Sequence, residues 1–278
     1  MLKTKKVLFI GAGSMAEAIA AGMVNQEKLP PSNIVMTNKQ NDQRRIELMK
    51  NYKVVALPYS EVQVQEADLI ILAMKPKDAE TALIELKPKV KANQIVMSVL
   101  AGISTGFMEE ILPEGQPVIR IMPNTSSTIG ESITAITGGQ SVSMEHIELA
   151  KELFSAIGRV KVIDEEQMDV FTGIAGSGPA YIYYVLEHIE KTAQAEGFDE
   201  DLAREIAAQT VFGASKMVLD TQASPESLRK KVTSPNGTTA AGLKALKENK
   251  AGQAFAEAIL SAKERSAAIR KEYEKVSV

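Results

Sequence analysis

Short apolar runs alternate with helix-like stretches along the first part of the chain. The runs are rich in Val and Ile, and few of their positions are polar. Strands of this composition are typical of a parallel sheet that helices cover on both faces. The predicted strands are residues 7–10, 34–37, 69–73, 95–100, 118–122, 133–137 and 160–163.

The pattern changes after Ile163. Strand-like runs stop, Ala, Glu and Lys become frequent, and apolar residues recur at helical spacing. We therefore predict helices over residues 179–196, 201–219, 225–232, 239–248 and 251–274. A length of 278 residues suggests two domains, at roughly 150 residues for each. The predicted division is an α/β domain over residues 1–163 and an all-α domain over residues 164–278.

A glycine-rich turn follows the first predicted strand. Residues 11–16 fit the pattern G-x-G-x-x-A between a strand and a helix. There the first glycine permits a tight turn, the second lets the backbone approach a diphosphate, and the helix start presents amides to the phosphates. The first domain is therefore predicted to be a Rossmann-type dinucleotide-binding domain; a purely structural turn is the alternative. The predicted cofactor residues are Gly11, Ala12, Gly13, Ser14, Met15 and Ala16.

The end of the second predicted strand carries no carboxylate. NAD-selective sites usually place an acidic residue there, which bonds the ribose 2′-hydroxyl. Asn38 and Lys39 occupy this position instead, and both can bind a 2′-phosphate. NADPH is therefore favoured over NADH. The alternative is that Lys39 belongs to a solvated loop and that either cofactor is accepted.

Two later strand ends are predicted to face the same cofactor, because ligands bind beyond the carboxyl ends of strands in open α/β sheets. The first comprises Ala73, Met74, Lys75 and Pro76, and the second includes Asn124. Prolines at such positions also serve simply to stop strand pairing, which is the alternative interpretation.

A polar turn precedes the predicted helix 239–248. Residues 232–239 read Val-Thr-Ser-Pro-Asn-Gly-Thr-Thr. Unpaired amides at a helix start form an anion site that suits a small carboxylate. Hydroxyls that act only as helix caps are the alternative.

Composition excludes several classes of site. The chain has no cysteine and two histidines, so a disulfide framework, a thiolate metal site and a histidine-rich metal cluster are excluded, and no metal is expected. A net charge of −3 argues against nucleic-acid binding. No apolar run approaches the ~18 residues of a membrane span, and the basic N-terminus precedes too short an apolar run for a signal peptide. A cytoplasmic protein is therefore expected.

Four segments in this order resemble the pyrroline-5-carboxylate reductase family: residues 11–16, 73–76, 176–181 and 232–239. The last is a highly specific motif of that family. The resemblance implies that NADPH, or NADH, delivers hydride to the C=N carbon of 1-pyrroline-5-carboxylate to give L-proline, the last step of proline biosynthesis. A cyclic imine protonated near neutral pH is already electrophilic, so the protein's main contribution is alignment with the nicotinamide.

The resemblance also implies the substrate site and the assembly. The carboxylate would be held by the turn 234–238, and a threonine hydroxyl that reaches the ring nitrogen matches Thr239, the expected catalytic residue. A homodimer through the helical domains is implied, with a decamer of five dimers as a larger assembly. The expected substrate-binding residues are Ser234, Asn236, Gly237, Thr238 and Thr239.

Three alternatives stay open at this point. A β-hydroxyacid dehydrogenase pairs the same folds but needs a residue that takes the alcohol proton, and Ile182 and Leu186 occupy the positions of its Lys and Asn. A non-catalytic relative would keep the cofactor turn for regulation, since fold alone does not confer function. Broader scope toward other cyclic imines depends on pocket shape and not on a motif.

Overall fold

A computed structural model describes residues 2–274, and eight strands form one sheet in it. The strands are β1 (Val7–Ile10), β2 (Ile34–Asn38), β3 (Val55–Pro58), β4 (Leu69–Leu72), β5 (Ile95–Ser98), β6 (Val118–Met122), β7 (Ser132–Gly138) and β8 (Gly158–Val162). Their order is β3-β2-β1-β4-β5-β6-β7-β8. The chain therefore reverses its direction of travel across the sheet at β1, where open α/β sheets bind ligands.

Eleven α-helices accompany the sheet within residues 2–274. They are α1 (Ser14–Asn25), α2 (Asp42–Tyr52), α3 (Ala79–Leu86), α4 (Thr105–Ile111), α5 (Met144–Phe154), α6 (Met168–Phe171), α7 (Gly178–Ala195), α8 (Glu200–Thr221), α9 (Pro225–Lys231), α10 (Thr238–Glu248) and α11 (Ala251–Glu274). A π-helix over Thr172–Gly176 joins α6 to α7. The predicted fold class, a Rossmann-type domain followed by a helical region, is confirmed.

The apolar strands divide their side chains between two cores. Alternate residues of a strand point to opposite faces, so Val7 and Phe9 join the cluster that includes α1 and α5. Leu8 and Ile10 join the cluster that includes α3 and α4. Full burial of such a side chain contributes roughly 1.5–3 kcal/mol. These two clusters hold the strand ends that form the site.

The sheet differs from its prediction in two respects. The edge strand β3 was not predicted, because it is short and ends in Pro58, which only an edge strand or a strand end tolerates. The pair β6 and β7 is antiparallel, although the sequence pattern predicts a parallel sheet. A parallel connection needs a dozen or more residues, whereas only residues 123–131 lie between these strands.

The chain packs as two compact units. The sheet unit comprises residues 2–177 and 261–274, and the helical unit comprises Gly178–Leu260. The helix α11 therefore begins in the helical unit and ends in the sheet unit. Within the sheet unit its last turns are bound to α6, because Asp169 accepts hydrogen bonds from Ser266 Oγ at 2.8 Å and Arg270 Nε at 3.2 Å. The division at residues 163 and 164 stays a prediction about the functional domains.

Candidate functional site

A cleft of 620 Å³ opens at the carboxyl ends of β1, β2 and β4, entirely within the sheet unit. Most of the predicted cofactor residues meet there, although they come from three separate segments of the chain. The predicted residues that line it are Gly11, Ala12, Gly13, Ser14, Met15, Asn38, Lys39, Ala73, Met74 and Lys75.

Gly11 makes the tight turn that the sequence motif requires. Its φ of +118° lies in the left-handed region, and an added Cβ would overlap the Ala73 carbonyl and lie 2.7 Å from Met74 N. The turn is fixed on both sides, because Gly11 N donates to Thr37 O and Ala73 N donates to Ile10 O, each at 2.9 Å. No other residue type fits this position without displacing the neighbouring strand ends.

Gly13 faces open space. Among the described residues, no atom lies within 4 Å of the position its Cβ would take. It is the N-cap of α1 and provides no side-chain cap, so the first amides of the helix remain available. Ala16 is fully buried instead and packs in the core beneath the turn. This arrangement of open backbone and unpaired amides fits a dinucleotide diphosphate.

The loop after β2 separates the two residues that were predicted to bind a 2′-phosphate. Asn38 uses both polar atoms inside the loop: Nδ2 donates to Asn41 O at 2.9 Å, and Oδ1 accepts from Asn41 N and from Arg45 Nη1. Lys39 is exposed, lines the cleft, and makes no ion pair within residues 2–274. Lys39 is therefore a cation without an ion pair in the described residues, as are Lys75 and Lys77 of the same lining, and it is the one at the end of β2. Asn38 shapes the loop in which Lys39 lies.

Two further predicted residues lie outside the lining. Pro76 opens a short 3-10 helix at its first position. Asn124 is buried, where its Oδ1 accepts from Ser126 N at 3.1 Å and its Nδ2 donates to Ala175 O at 3.0 Å. Asn124 thereby fixes the turn after β6 to the π-helix.

The cleft is also lined by residues outside the set of predicted cofactor residues. Thr37 Oγ1 and the Tyr59 hydroxyl are buried polar atoms without a hydrogen-bond partner in residues 2–274. Burial, together with the charge of Glu85, raises the pKa of the Tyr59 phenol. Orphaned polar atoms in the wall of a cleft are typical of a ligand site. Tyr59 follows β3, so missing that strand also meant missing this residue.

The polar turn lies in the helical unit, between α9 and α10. Asn236 adopts a left-handed conformation with φ of +59°, and Gly237 N donates to Ser234 O at 3.1 Å. An added Cβ at Gly237 would overlap Ser234 Oγ and lie 3.2 Å from Ser234 O, so a larger residue there would require the Ser234 side chain to move. The turn is therefore a defined structure that ends at the N-terminus of α10.

The first turn of α10 is open to an anion. Gly237 is its N-cap and supplies no side-chain cap, and the hydroxyls of Thr238 and Thr239 make no hydrogen bond within residues 2–274. The preceding helix ends in the basic residues Arg229, Lys230 and Lys231. Unpaired amides at the start of a helix favour a small carboxylate.

Comparison with known proteins decides the family. A protein named pyrroline-5-carboxylate reductase 1 from Bacillus spizizenii is 51% identical over 273 residues, which are 98% of this chain and 92% of that protein. The chain belongs to the pyrroline-5-carboxylate reductase family. A pyrroline-5-carboxylate reductase from Arabidopsis thaliana is 38% identical over 261 residues, which cover 94% of each chain.

Solved structures named as pyrroline-5-carboxylate reductases share the whole architecture. The Streptococcus pyogenes structure has a TM-score of 0.84 at 31% identity and covers 95% of this chain and 98% of its own. The Plasmodium falciparum pyrroline carboxylate reductase, crystallised with NADP bound, has a TM-score of 0.88 at 26% identity and covers 97% of this chain and 100% of its own. The likeness supports a nicotinamide cofactor for this member of the pyrroline-5-carboxylate reductase family.

Two sequence families match parts of this pyrroline-5-carboxylate reductase family member. Residues 6–102 match the family described as NADP oxidoreductase coenzyme F420-dependent, and these residues include the cleft. Residues 165–269 match the family described as pyrroline-5-carboxylate reductase dimerisation. The second match supports homo-oligomerisation. No helix within residues 2–274 is long and apolar enough to cross a membrane.

Proposed function

We propose that this chain reduces the C=N bond of 1-pyrroline-5-carboxylate to give L-proline, the final step of proline biosynthesis, with NADPH preferred over NADH. The observation that carries the proposal is the pair of anion sites in a chain of this family: a glycine-rich cleft, and an uncapped helix start with free threonine hydroxyls. A cofactor diphosphate and a substrate carboxylate each match one of them.

NADPH is preferred because of the charge at the end of β2. Lys39 lines the cleft with an unpaired ammonium group, and a 2′-phosphate at this end of the cleft would neutralise it. No carboxylate of the β2 loop lines the cleft to repel that phosphate. Asn38 contributes through the shape of the loop, since its polar atoms are already bonded there.

The substrate carboxylate would bind the turn 234–238 at the start of α10, where Gly237 supplies no side-chain cap and which follows the basic end of α9 in the chain. Thr239 would then direct its hydroxyl at the ring nitrogen. The reduced nicotinamide supplies the hydride. The protein contributes orientation, and a positioned hydroxyl at the nitrogen steers the imine carbon toward the donor. Water or the protonated substrate supplies the nitrogen proton.

We extend the proposal to the functional domains and to the assembly of the chains. We place the cofactor domain at residues 1–163 and the substrate-binding and dimerisation domain at residues 164–278. In the described part of the helical unit, Ala203 and Ala207 are the only buried residues. Its helices need another surface to cover them, which favours a homodimer through this region, with five dimers as the larger assembly.

Steady-state assays test the proposal directly. Oxidation of NADPH and of NADH is followed with 1-pyrroline-5-carboxylate, and L-proline is identified as the product. We expect a higher kcat/KM with NADPH. Thr239→Ala should lower kcat about tenfold or more, whereas Thr238→Ala on the same turn is the comparison variant and should act mainly on KM. Undiminished turnover of Thr239→Ala would remove that residue from its role. A wild type that binds cofactor tightly but never reduces the imine would favour a regulatory relative.

A further inference from the structure

Arg44 on α2 anchors the glycine-rich turn through side-chain hydrogen bonds. It lies in the first turn of α2, and its Nε donates to the carbonyl of Ala12 at 2.9 Å. Its Nη2 donates to Glu17 on α1 at 2.5 Å, and Glu17 also accepts from the Tyr52 hydroxyl at 3.0 Å. Three hydrogen bonds therefore fasten the turn and the start of α1 to α2.

The Ala12 carbonyl belongs to the same peptide group as the Gly13 amide. In a planar trans peptide the C=O and N–H bonds point in nearly opposite directions. A carbonyl fixed toward Arg44 therefore directs the Gly13 N–H away from α2. Within residues 2–274 that amide has no hydrogen-bond partner, and Gly13 lines the cofactor cleft.

The charge of Arg44 acts on the same peptide. A cation that donates to a carbonyl polarises the peptide, so its N–H becomes a stronger donor. Burial opposes the charged form of Arg44, but its bonds to Glu17 and the Glu17 charge outweigh burial and raise the pKa of the guanidinium. The Arg44 guanidinium is therefore charged at neutral pH.

We propose that Arg44 is a positioning residue for the cofactor diphosphate, which presets the Ala12–Gly13 peptide so that the Gly13 amide bonds an anionic oxygen. The inference rests on the proposed dinucleotide binding. Arg44 does not itself line the cleft, whereas Lys39 does. The two cations therefore act on different phosphates: Lys39 on the 2′-phosphate directly, and Arg44 on the diphosphate through the backbone.

Calorimetric titration of the full chain with two fragments separates these roles. ADP-ribose contains the diphosphate but no 2′-phosphate. Adenosine 2′-monophosphate contains the 2′-phosphate but no diphosphate. Arg44→Met should weaken the binding of ADP-ribose, NADH and NADPH by the same factor, about tenfold or more. Its affinity for adenosine 2′-monophosphate should be unchanged. Lys39→Ala should weaken adenosine 2′-monophosphate and NADPH but not ADP-ribose. Lys50→Met, which removes an exposed cation from the same helix, is the matched control and should change none of these affinities.

Two results would overturn the proposal. An unchanged affinity of Arg44→Met for ADP-ribose would show that Arg44 does not preset the Gly13 amide. A loss of affinity for NADPH that exceeds the loss for NADH would instead indicate that Arg44 contacts the 2′-phosphate. Thermal unfolding checks that the variant is folded. If it is not, Arg44→Lys serves instead: it keeps the charge but not the planar fork that reaches both Ala12 and Glu17, so the same pattern is expected with a smaller loss.

Failure of the proposed function is distinguishable, because these titrations need no imine. A wild type that binds all the ligands but does not reduce 1-pyrroline-5-carboxylate would refute the proposed reaction and leave the role of Arg44 to the titrations. A wild type that binds neither ADP-ribose nor either dinucleotide would refute both.

Discussion

The sheet unit buries two extended apolar clusters on the two faces of its strands, whereas the helical unit buries only Ala203 and Ala207 among its described residues. Large apolar side chains remain exposed along the helical unit, among them Tyr184, Phe212 and Phe255. Exposed apolar surface on this scale is typical of a protein interface. The sheet unit therefore has a core of its own, whereas the helical unit leaves apolar surface that favours a partner.

The two candidate anion sites differ in the same way. The cofactor turn is fixed by the strands around it, since Gly11 is bonded to β2 and its neighbour Ala73 to β1. The substrate turn is fixed locally, by Asn236 in a left-handed conformation and by the bond from Gly237 to Ser234. A change at Gly11 should therefore affect stability and binding together, while changes of the Thr238 and Thr239 hydroxyls should affect substrate binding and turnover with little effect on stability.

Introducing a charge on the exposed face of the helical unit should have the largest effect, which is to weaken the assembly of the chains. Phe212, on α8, is 60% exposed in the single chain. If another copy covers it, Phe212→Asp buries an unpaired carboxylate, and the assembly should lose about 2 kcal/mol or more per interface. Light scattering should then report smaller species. Met144→Asp is the control, because Met144 is 74% exposed on the sheet unit and starts a helix. An unchanged assembly for Phe212→Asp would argue against an interface there.

The two glycines of the cofactor turn should separate stability from binding. Gly11→Ala introduces a clash with the Ala73 carbonyl and strains a φ of +118°, so we expect about 1–3 kcal/mol of destabilisation together with loss of cofactor affinity. Gly13→Ala meets no atom in the described chain, so its unfolding temperature should be unchanged. Its affinity should fall because the methyl group crowds the diphosphate. Equal destabilisation by both variants would contradict this account of the turn.

Lys39→Ala should have an intermediate and selective effect. Loss of a charge-assisted contact to the 2′-phosphate weakens NADPH by about tenfold, while NADH, which lacks that phosphate, should be nearly unaffected. The ratio of the two KM values measures the selectivity. Lys77→Ala is the comparison variant, because it removes another cleft-lining cation from a different segment, the short 3-10 helix after β4. Equal losses for both cofactors in Lys39→Ala would refute a 2′-phosphate contact.

The smallest effect is expected from Glu17→Gln, and it depends on pH. Burial raises the pKa of Glu17, but the hydrogen bonds from Arg44 and Tyr52 and the Arg44 charge together lower it below its usual value of 4.5. A carboxyl group whose pKa is lower in the folded than in the unfolded chain stabilises the fold fully at pH values above its unfolded-state pKa. That contribution is lost as the pH falls through the lowered folded value.

Urea unfolding at neutral pH and at a pH below 4.5 measures this contribution. We expect Glu17→Gln to cost about 0.5–1 kcal/mol at neutral pH and to lose less further stability in acid than the wild type. Glu47→Gln is the control, since its carboxylate lies 3.6 Å from the same Arg44 guanidinium but is more exposed. If the wild type and Glu17→Gln lost the same unfolding free energy between neutral and acidic pH, the assigned pKa shift would be contradicted.

Strong local patterns made most of the fold predictable. Seven strands and the five helices after residue 177 were predicted near their observed positions, because apolar runs and helical spacing mark them directly. The edge strand β3 lacks such a run, and the antiparallel β7 depends on the length of a connection and not on composition. The return of residues 261–274 to the sheet unit depends on Asp169, Ser266 and Arg270, which bring together segments about 100 residues apart in the chain.

The candidate site was predictable where a motif fixes the backbone. Ten of the predicted cofactor residues line one cleft, since glycine patterns and strand ends have the same meaning in any doubly wound sheet. Contacts made by side chains from elsewhere were not predictable. In the sequence Arg44 is one of several cations after β2, and only the structure shows the hydrogen bonds to the Ala12 carbonyl and to Glu17 that distinguish it from Lys39. Tyr59 required the unpredicted β3 to be in place.

A crystal structure with NADPH and L-proline bound tests the central claim most directly. The account predicts the diphosphate on the amides at the start of α1, the proline carboxylate on the turn 234–238, and the Thr239 hydroxyl at hydrogen-bond distance from the ring nitrogen, with the nicotinamide in contact with the ring carbon. A structure in which the amides at the start of α10 lie far from every nicotinamide of the assembly would contradict it.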